Sequence, residues 1–307
     1  MITCICDTTS TEILDRTRDA LLSSEVHSGM SRLRAALNGL RASLPREEWR
    51  AFGEQARRHP LHDLLLESPF TQRAYAKPRG YAGDATLMDL IYGTVPGEAL
   101  SPLGGMLYGY EFDSPAFKSV RTRRAFLARE IDDVAAARPE ARVLAVACGH
   151  LREIEWSRAA RAGVVTLTAL DQDRHSLTEV DQRYGGLGVS TVSASVGELL
   201  RRPGKFSNHD LAYAAGLYDY LEDDVACALT ATLFRTLAPG GRLLIANFTP
   251  ATYDAAFMET FMDWRLIYRT AEDVRALTAA IPRAEVSRID QFSDENGHIA
   301  YLRVVKR

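Results

Sequence analysis

The spacing of apolar residues changes character near Arg138. Upstream of it the spacing is helical: Leu33, Leu37 and Leu40 recur on one face, as do Leu127, Ile131 and Val134. Pro45 opens a further helix, with Glu47 and Glu48 in its acid-favouring first turn, ahead of Trp49. Short helices are predicted over 60–68 and 85–92. Between them, residues 77–84 are too rich in Pro and Gly to be helical, and a second glycine-rich loop is predicted from Gly93 to Tyr110. Downstream of Arg138, short apolar runs appear at 142–147, 166–170, 190–193, 211–214 and 242–247. Helical segments at 153–162, 174–184, 197–200 and 224–237 separate them. Buried parallel strands read as short continuous apolar runs, so this alternation predicts a doubly wound α/β sheet.

Two more runs, 284–290 and 299–305, are joined only by the turn-forming stretch that holds Asp294, Asn296 and Gly297. So short a connection makes an antiparallel hairpin. The expectation is a mostly parallel seven-stranded sheet over residues 138–307, preceded by a helical region over residues 1–137 that lids the site and brings a second subunit to it.

Composition narrows the field. Over 307 residues, 46% are hydrophobic and 25% charged, which is ordinary for a globular chain. The net charge of -3 leaves no bulk basic excess for a nucleic-acid backbone, and acids offset the local cluster of Arg121, Arg123 and Arg124. No run approaches the roughly 20 apolar residues that span a bilayer, and residues 1–10 lack a signal-like order. Four cysteines in this length form no disulfide framework. Cys148 and Cys227 read as packed residues, and Cys4 and Cys6 as part of a frayed terminus rather than a metal site. These features point to a cytoplasmic protein with a small-molecule partner, and to neither membrane, metal nor nucleic acid.

The chemistry gathers at strand ends. The first strand runs into Ala147-Cys148-Gly149-His150-Leu151, where Gly149 allows a tight turn and close backbone approach to a ligand. In open α/β sheets, ligands lie at the carboxyl ends of the strands, beside such a loop. Taken alone, this turn fits a structural loop as well as a binding one. One strand later, Leu170-Asp171-Gln172-Asp173 sets a carboxylate about 20 residues past the glycine, the spacing at which an acid reaches a ribose hydroxyl pair. A dinucleotide enzyme shares that acid but normally carries more glycines, to approach a pyrophosphate. The third strand ends in Ser193-Ala194-Ser195-Val196 and the fourth in Tyr213-Ala214-Ala215-Gly216-Leu217-Tyr218-Asp219-Tyr220. Leu237-Ala238-Pro239-Gly240-Gly241 then precedes the fifth.

This ordered set resembles the class I, Rossmann-like S-adenosylmethionine-dependent methyltransferases. The glycine turn departs from their first motif: Ala145 stands for the usual acid, and Ala147 and Leu151 for two glycines. The resemblance implies S-adenosylmethionine as cofactor, held by Ala147, Cys148, Gly149, His150, Asp171, Gln172, Ser195, Val196, Ala215 and Gly216. The strings 77–84, 216–221 and 264–269 narrow it to a bacterial group that includes enzymes making 3-hydroxy fatty acid methyl esters and methionine S-methyltransferases. Tyr75, Arg79, Tyr81, Asp84, Tyr220, Asn247, Trp264, Tyr268 and Arg269 are the candidate acceptor contacts, with Trp264 and Tyr268 on one helical face.

Tyr81, Asp84 and Tyr218 are the candidate catalytic groups. His150 is read as a backbone-positioning residue, and His175 and His209 as solvated. With no evident base, the favoured reaction is S-methylation of L-methionine, with Arg79 or Arg269 on the carboxylate and Asp84 on the ammonium. The alternatives are carboxyl O-methylation of a fatty acid, an intramolecular lyase reaction on the cofactor, and a non-catalytic cofactor-binding protein. A homodimer with the acceptor site near its interface is expected.

Overall fold

The computed structural model describes residues 2–94, 99–202, 204 and 206–307, with side chains from residue 11 onward. The side chains of Cys4 and Cys6, and residues 95–98 of the predicted loop, fall outside the described set. The chain forms two compact units: residues up to 118 with 253–265, and residues 119–252 with 266–307.

The first unit is helical. Its early elements are α1 (Ile2–Leu22), α2 (Val26–Ser43), α3 (Arg46–Ala56), α4 (Leu61–Leu65), α5 (Pro69–Ala76), α6 (Ala85–Ile91) and α7 (Pro102–Phe112). Met30, Leu33, Leu37, Leu61, Leu65 and Leu107 make its buried core. The starts are chemically marked. Ser68, Asp84 and Ser101 accept hydrogen bonds from the free N–H groups of the first turns of α5, α6 and α7. The predicted loop from Gly93 to Tyr110 is therefore half helix. Pro102 fits the first turn, where no N–H is needed, and the burial of Leu107 outweighs the helix-breaking tendency of three glycines.

Helix α8 (Pro115–Ala137) carries the division between the units and leads into the sheet. Strands β1 (Arg142–Val146), β2 (Thr166–Asp171), β3 (Val189–Ser193), β4 (His209–Ala214) and β5 (Leu237–Phe248) alternate with α9 (Arg158–Arg161), α10 (Arg174–Tyr184), α11 (Val196–Arg201) and α12 (Asp223–Arg235). Next comes α13 (Ala255–Phe261), which belongs to the first unit. There Glu259 accepts from the Trp49 indole at 2.7 Å and from Arg41 at 2.8 Å. The chain closes with α14 (Ala271–Ala276), β6 (Val286–Ser293) and β7 (Ile299–Lys306).

The seven strands lie in the order β3-β2-β1-β4-β5-β7-β6. The first five are parallel, and β7 pairs antiparallel with both β5 and β6. The expected sheet and hairpin are thus present, over a core of Leu144, Val146, Leu243, Ile245 and Leu302. The Pro239-Gly240-Gly241 turn is an irregularity inside β5, where the register with β4 shifts between His209 and Leu211. A Cβ on Gly241 would lie 2.6 Å from the His209 carbonyl oxygen, so only glycine fits. His209 itself is buried against Thr236 rather than solvated, and burial lowers its pKa.

Strand order reverses between β1 and β4, where connections leave toward opposite sides and a crevice opens beyond the strand ends. Among the described residues, no helix is long and apolar enough to cross a membrane, and no His, Cys, Asp and Glu cluster could hold a metal ion.

Candidate functional site

The turn after β1 is wound left-handed at three positions: Ala147 (φ +51°), Gly149 (φ +53°) and Leu151 (φ +54°). Two of these are the positions at which the sequence lacks the expected glycines. The substitution has changed the residues and kept the backbone, although a Cβ makes this region unfavourable. Three bonds hold it: Cys148 N–H donates to the Leu170 carbonyl at 3.1 Å, Leu151 N–H to the Cys148 carbonyl at 2.9 Å, and Gly149 N–H to Asp171 Oδ2 at 2.9 Å. Leu151 is fully buried and leads into a 3₁₀ turn over Arg152–Glu155.

Asp171 ends β2 against this turn. Its second oxygen, Oδ1, accepts from the Asp173 N–H at 2.9 Å, so both carboxylate oxygens are held by backbone donors. Burial raises its pKa, and the backbone donors of Asp173, Gly149 and Gln172 pull it back. Gln172 beside it is exposed. Asp171 and Glu153 also help hold the Cys148 thiol well above its ordinary value, after burial, so Cys148 is no nucleophile. His150 is buried, with Nδ1 3.5 Å from the Arg152 guanidinium, which pairs with Glu179 and Tyr184. At the β3 end, Ser195 caps α11. Its hydroxyl and N–H are both engaged with Glu198, leaving Val196 and the half-buried Ala194 as the apolar surface there.

Beyond β4, Ala215 is half-buried and Gly216 exposed. A Cβ on Gly216 would lie 3.9 Å from the Arg123 guanidinium, which places that buried cation at the strand end. Two buried acids share it. Glu153, which accepts from the Tyr213 hydroxyl at 2.6 Å, and Asp219, which accepts from the Phe248 N–H at 2.6 Å, both have pKa values raised by burial. Asp219 reaches about 6, and Arg123 is among the charges that restrain both shifts. Arg123 reads in the sequence as one of an offset cluster, Glu153 only as the start of a helical segment, and Tyr213 only as part of the fourth-strand motif, so none of the three was a candidate contact.

Several acceptor-side candidates have structural work instead. Arg269 is buried and uses all five N–H groups: on Asp223 twice, on Asn247 Oδ1, and on the carbonyls of Tyr218 and Leu221. It has none left for a substrate carboxylate. Asn247 is held by Arg269 and by the Phe248 and Ile267 carbonyls. Tyr218 is buried against Thr230 at 3.0 Å, and burial pushes its phenol above the ordinary value, so it is no base. Tyr220 is exposed and Tyr268 half-buried.

Trp264 and Tyr268 do not share a helix face, because α13 ends at Phe261 and residues 263–270 are irregular. Asp263 is left-handed there (φ +46°), and Lys77 binds its carbonyl at 2.9 Å. Trp264 is buried beside Phe70 in the first unit. In the same unit, Asp84 is fully buried, caps α6 and takes a two-point bond from Arg73 at 2.8 and 2.7 Å. Its charge is already matched, so neither a base nor an ammonium partner is left. Tyr75 is exposed, edge-on to His62, while Arg79 and Tyr81 are half-buried in the 77–84 loop.

No protein-family model matches the chain, and no curated relative does. Solved structures do. A "possible exported protein" from Bordetella parapertussis is 19% identical with a TM-score of 0.59, covering 98% of this chain and 96% of its own. Magnesium protoporphyrin IX methyltransferase (ChlM) from Synechocystis PCC 6803, with bound S-adenosylhomocysteine, is 15% identical with a TM-score of 0.50. That match covers 76% of this chain and 97% of ChlM. The fold is that of the class I methyltransferases.

Within that fold three groups stand at strand ends of the sheet unit. They are the backbone turn at Gly149, the Asp171 carboxylate, and the buried Arg123 cation, whose charge acts on the buried acids Glu153 and Asp219. Together they suit a ligand that carries a ribose and, at its other end, both a carboxylate and an ammonium.

Proposed function

We propose that the protein is an S-adenosylmethionine-dependent methyltransferase acting on a small molecule. The observation that carries the reading is the β1 turn, left-handed at residues 147, 149 and 151, with Asp171 hydrogen-bonded beneath Gly149 at the point where strand order reverses. A sequence that has lost two glycines and still keeps this strained conformation is constrained by what the turn holds.

In this reading Asp171 receives the ribose hydroxyls in charge-assisted bonds. Ala194 and Val196 flank the adenine with apolar surface. Arg123 takes the cofactor's carboxylate, and Glu153 or Asp219 its ammonium. Bound there, the cofactor supplies an electrophilic methyl group on a sulfonium. The chain's own part is to hold the two reactants in line and to exclude water. Of the three candidate catalytic groups, Tyr218 and Asp84 are committed elsewhere and Tyr81 is left, and the favoured nucleophile is one that carries no proton at reaction, as in a thioether or a carboxylate. L-Methionine is the first acceptor to test, as the sequence resemblance suggests. A 3-hydroxy fatty acid is the second.

The test incubates the purified chain with methyl-labelled S-adenosylmethionine and each acceptor, then identifies both products by mass spectrometry. Labelled acceptor together with S-adenosylhomocysteine is the expected outcome. Methylthioadenosine in its place would establish an intramolecular reaction. Cofactor binding with no turnover over a broad acceptor panel would overturn the enzymatic reading.

A further inference from the structure

The connection between β6 and β7, residues 294–298, carries more polar chemistry than a hairpin turn needs. Asp294 closes the turn: its N–H donates to the Ile299 carbonyl at 3.0 Å, and its Oδ1 accepts from the Ile299 N–H at 2.7 Å. Its other oxygen, Oδ2, accepts from the hydroxyl of Ser119 on α8 at 2.5 Å. Ser119 is fully buried, and two further groups of the turn meet its oxygen. They are the Asn296 amide at 3.3 Å and His298 Nδ1 at 3.3 Å.

These contacts fix the protons. Ser119 has one hydrogen and two lone pairs, and the carboxylate takes the hydrogen. The Asn296 amide nitrogen donates to one lone pair, and Nδ1 faces the other. Nδ1 therefore carries a hydrogen and donates it. In neutral imidazole only one nitrogen is protonated, so Nε2 is left with a bare lone pair. The Ser119 hydroxyl is saturated and is no nucleophile; it sets the tautomer of His298.

Nε2 is where the arrangement is unfinished. His298 is only 6% exposed and its backbone is fixed, its carbonyl accepting from the Thr249 N–H at 2.8 Å. Nε2 makes no hydrogen bond to the described residues, and it remains accessible. An oriented acceptor atom in a buried residue, open on one side, suits a donor brought by a ligand.

The strand ends around it show which ligand. His298 precedes Ile299, which pairs with Phe248 at the end of β5, and the Phe248 N–H is the donor to Asp219. Ser119 lies one helical turn before Arg123 on α8, on the same face. β7 is two strands from β4, about 10 Å at the usual strand spacing. In the proposed function the cofactor reaches from Asp171 at the end of β2 to Arg123 at the end of β4. The ends of β5 and β7 continue that line.

We propose that His298 Nε2 accepts a hydrogen bond from the molecule to be methylated, a small acid that carries an ammonium or hydroxyl donor. Ser119 is its positioning residue. This rests on the proposed function and adds to it a recognition group for the acceptor molecule.

Long-range nitrogen–proton correlation NMR of the full chain, at about pH 8 and so above the ordinary imidazole range, reads the tautomer. The His298 signal, assigned by its loss in His298→Asn, should show hydrogen on Nδ1, and Ser119→Ala should move it toward Nε2. Calorimetry of the chain loaded with S-adenosylhomocysteine then compares L-methionine with 4-(methylthio)butanoate, and 3-hydroxydecanoate with decanoate. In at least one pair the donor-bearing acid should bind roughly tenfold or more tighter, and the pair that responds identifies the donor as ammonium or hydroxyl. His298→Asn, whose amide still donates to Ser119, should erase the difference. His298→Gln, which returns an oxygen near the place of Nε2, should keep part of it. Hydrogen on Nε2 in the parent, an unmoved tautomer in Ser119→Ala, no difference within either pair, or a difference that survives His298→Asn would each overturn the proposal alone. A chain that does not bind S-adenosylhomocysteine would overturn the proposed function, and this proposal with it.

Discussion

Replacing Ala147 and Leu151 by glycine, one at a time, separates backbone strain from burial in the β1 turn. Both residues sit in the same left-handed region, at φ +51° and +54°. A residue with a Cβ is disfavoured there by about 1–2 kcal/mol. Glycine relieves that strain but enlarges the unfolded chain's freedom, which costs about 0.4–1 kcal/mol. For Ala147, half-buried with little side chain to lose, the balance favours glycine by roughly 0.5–1 kcal/mol.

Leu151 is only 1% exposed, and deleting such a side chain costs about 2–5 kcal/mol, so the same relief is outweighed and the net loss is roughly 1–4 kcal/mol. Urea unfolding followed by circular dichroism, with melting curves as a check, measures both. The Ala147→Gly melting point should rise by about 1–4 °C and that of Leu151→Gly should fall. Cofactor affinity should hold or improve in Ala147→Gly. An Ala147→Gly protein that melts below the parent would refute the claim that the turn is strained, and with it the argument that a ligand keeps it so.

Other outcomes follow from the same geometry. Asp171→Asn keeps one acceptor for the backbone but removes the charge. S-Adenosylmethionine binding by calorimetry should weaken about tenfold or more, since a hydrogen bond to a charged group contributes about 1.5–3 kcal/mol. Arg269→Lys leaves buried acceptors unpaired and should destabilise by about 2–4 kcal/mol in urea, with kcat/KM of the folded protein unchanged; a selective rise in KM would restore Arg269 as a substrate contact.

Asp219 has its carboxyl raised by burial from 3.8 to about 6, so the folded state holds this proton more tightly than the unfolded chain. The stability it contributes is therefore fullest below about pH 4 and declines as pH rises through about 6. Asp219→Asn still accepts from Phe248 and should gain on the parent by up to about 3 kcal/mol across that window, levelling near neutrality. Parallel stability–pH curves for the two proteins would rule the shift out.

The chain's own pattern determined the sheet. Continuous apolar runs at β1 to β5, alternating with helices, leave few arrangements other than a parallel doubly wound sheet, and the short turn at Asp294–Gly297 admits only a hairpin. The positions of Gly149 and Asp171 at strand ends were legible for the same reason: spacing along a strand places a residue at its tip. What spacing could not reveal is which charges are already matched. Arg269, Asp84 and Asn247 have the residue types of a binding site, yet each is saturated by neighbours, some far apart in the chain. Arg123 and Glu153 looked unremarkable until folding buried them together at the crevice.

The helical face expected for Trp264 and Tyr268 failed because periodicity records which residues are apolar, not whether the backbone continues. Asp263 turns left-handed there, where Lys77, 186 residues away in sequence, takes its carbonyl. Likewise the helical spacing of Leu33 and Leu37 announced a core but not the cavity beside it. That volume is lined by residues distant in sequence, among them Arg34, Gly109 and Tyr253. Local pattern sets the elements because sterics and solvent act on each residue's neighbours along the chain. Hydrogen-bond saturation, burial and empty space are properties of neighbours in three dimensions, and only the tertiary structure decides them.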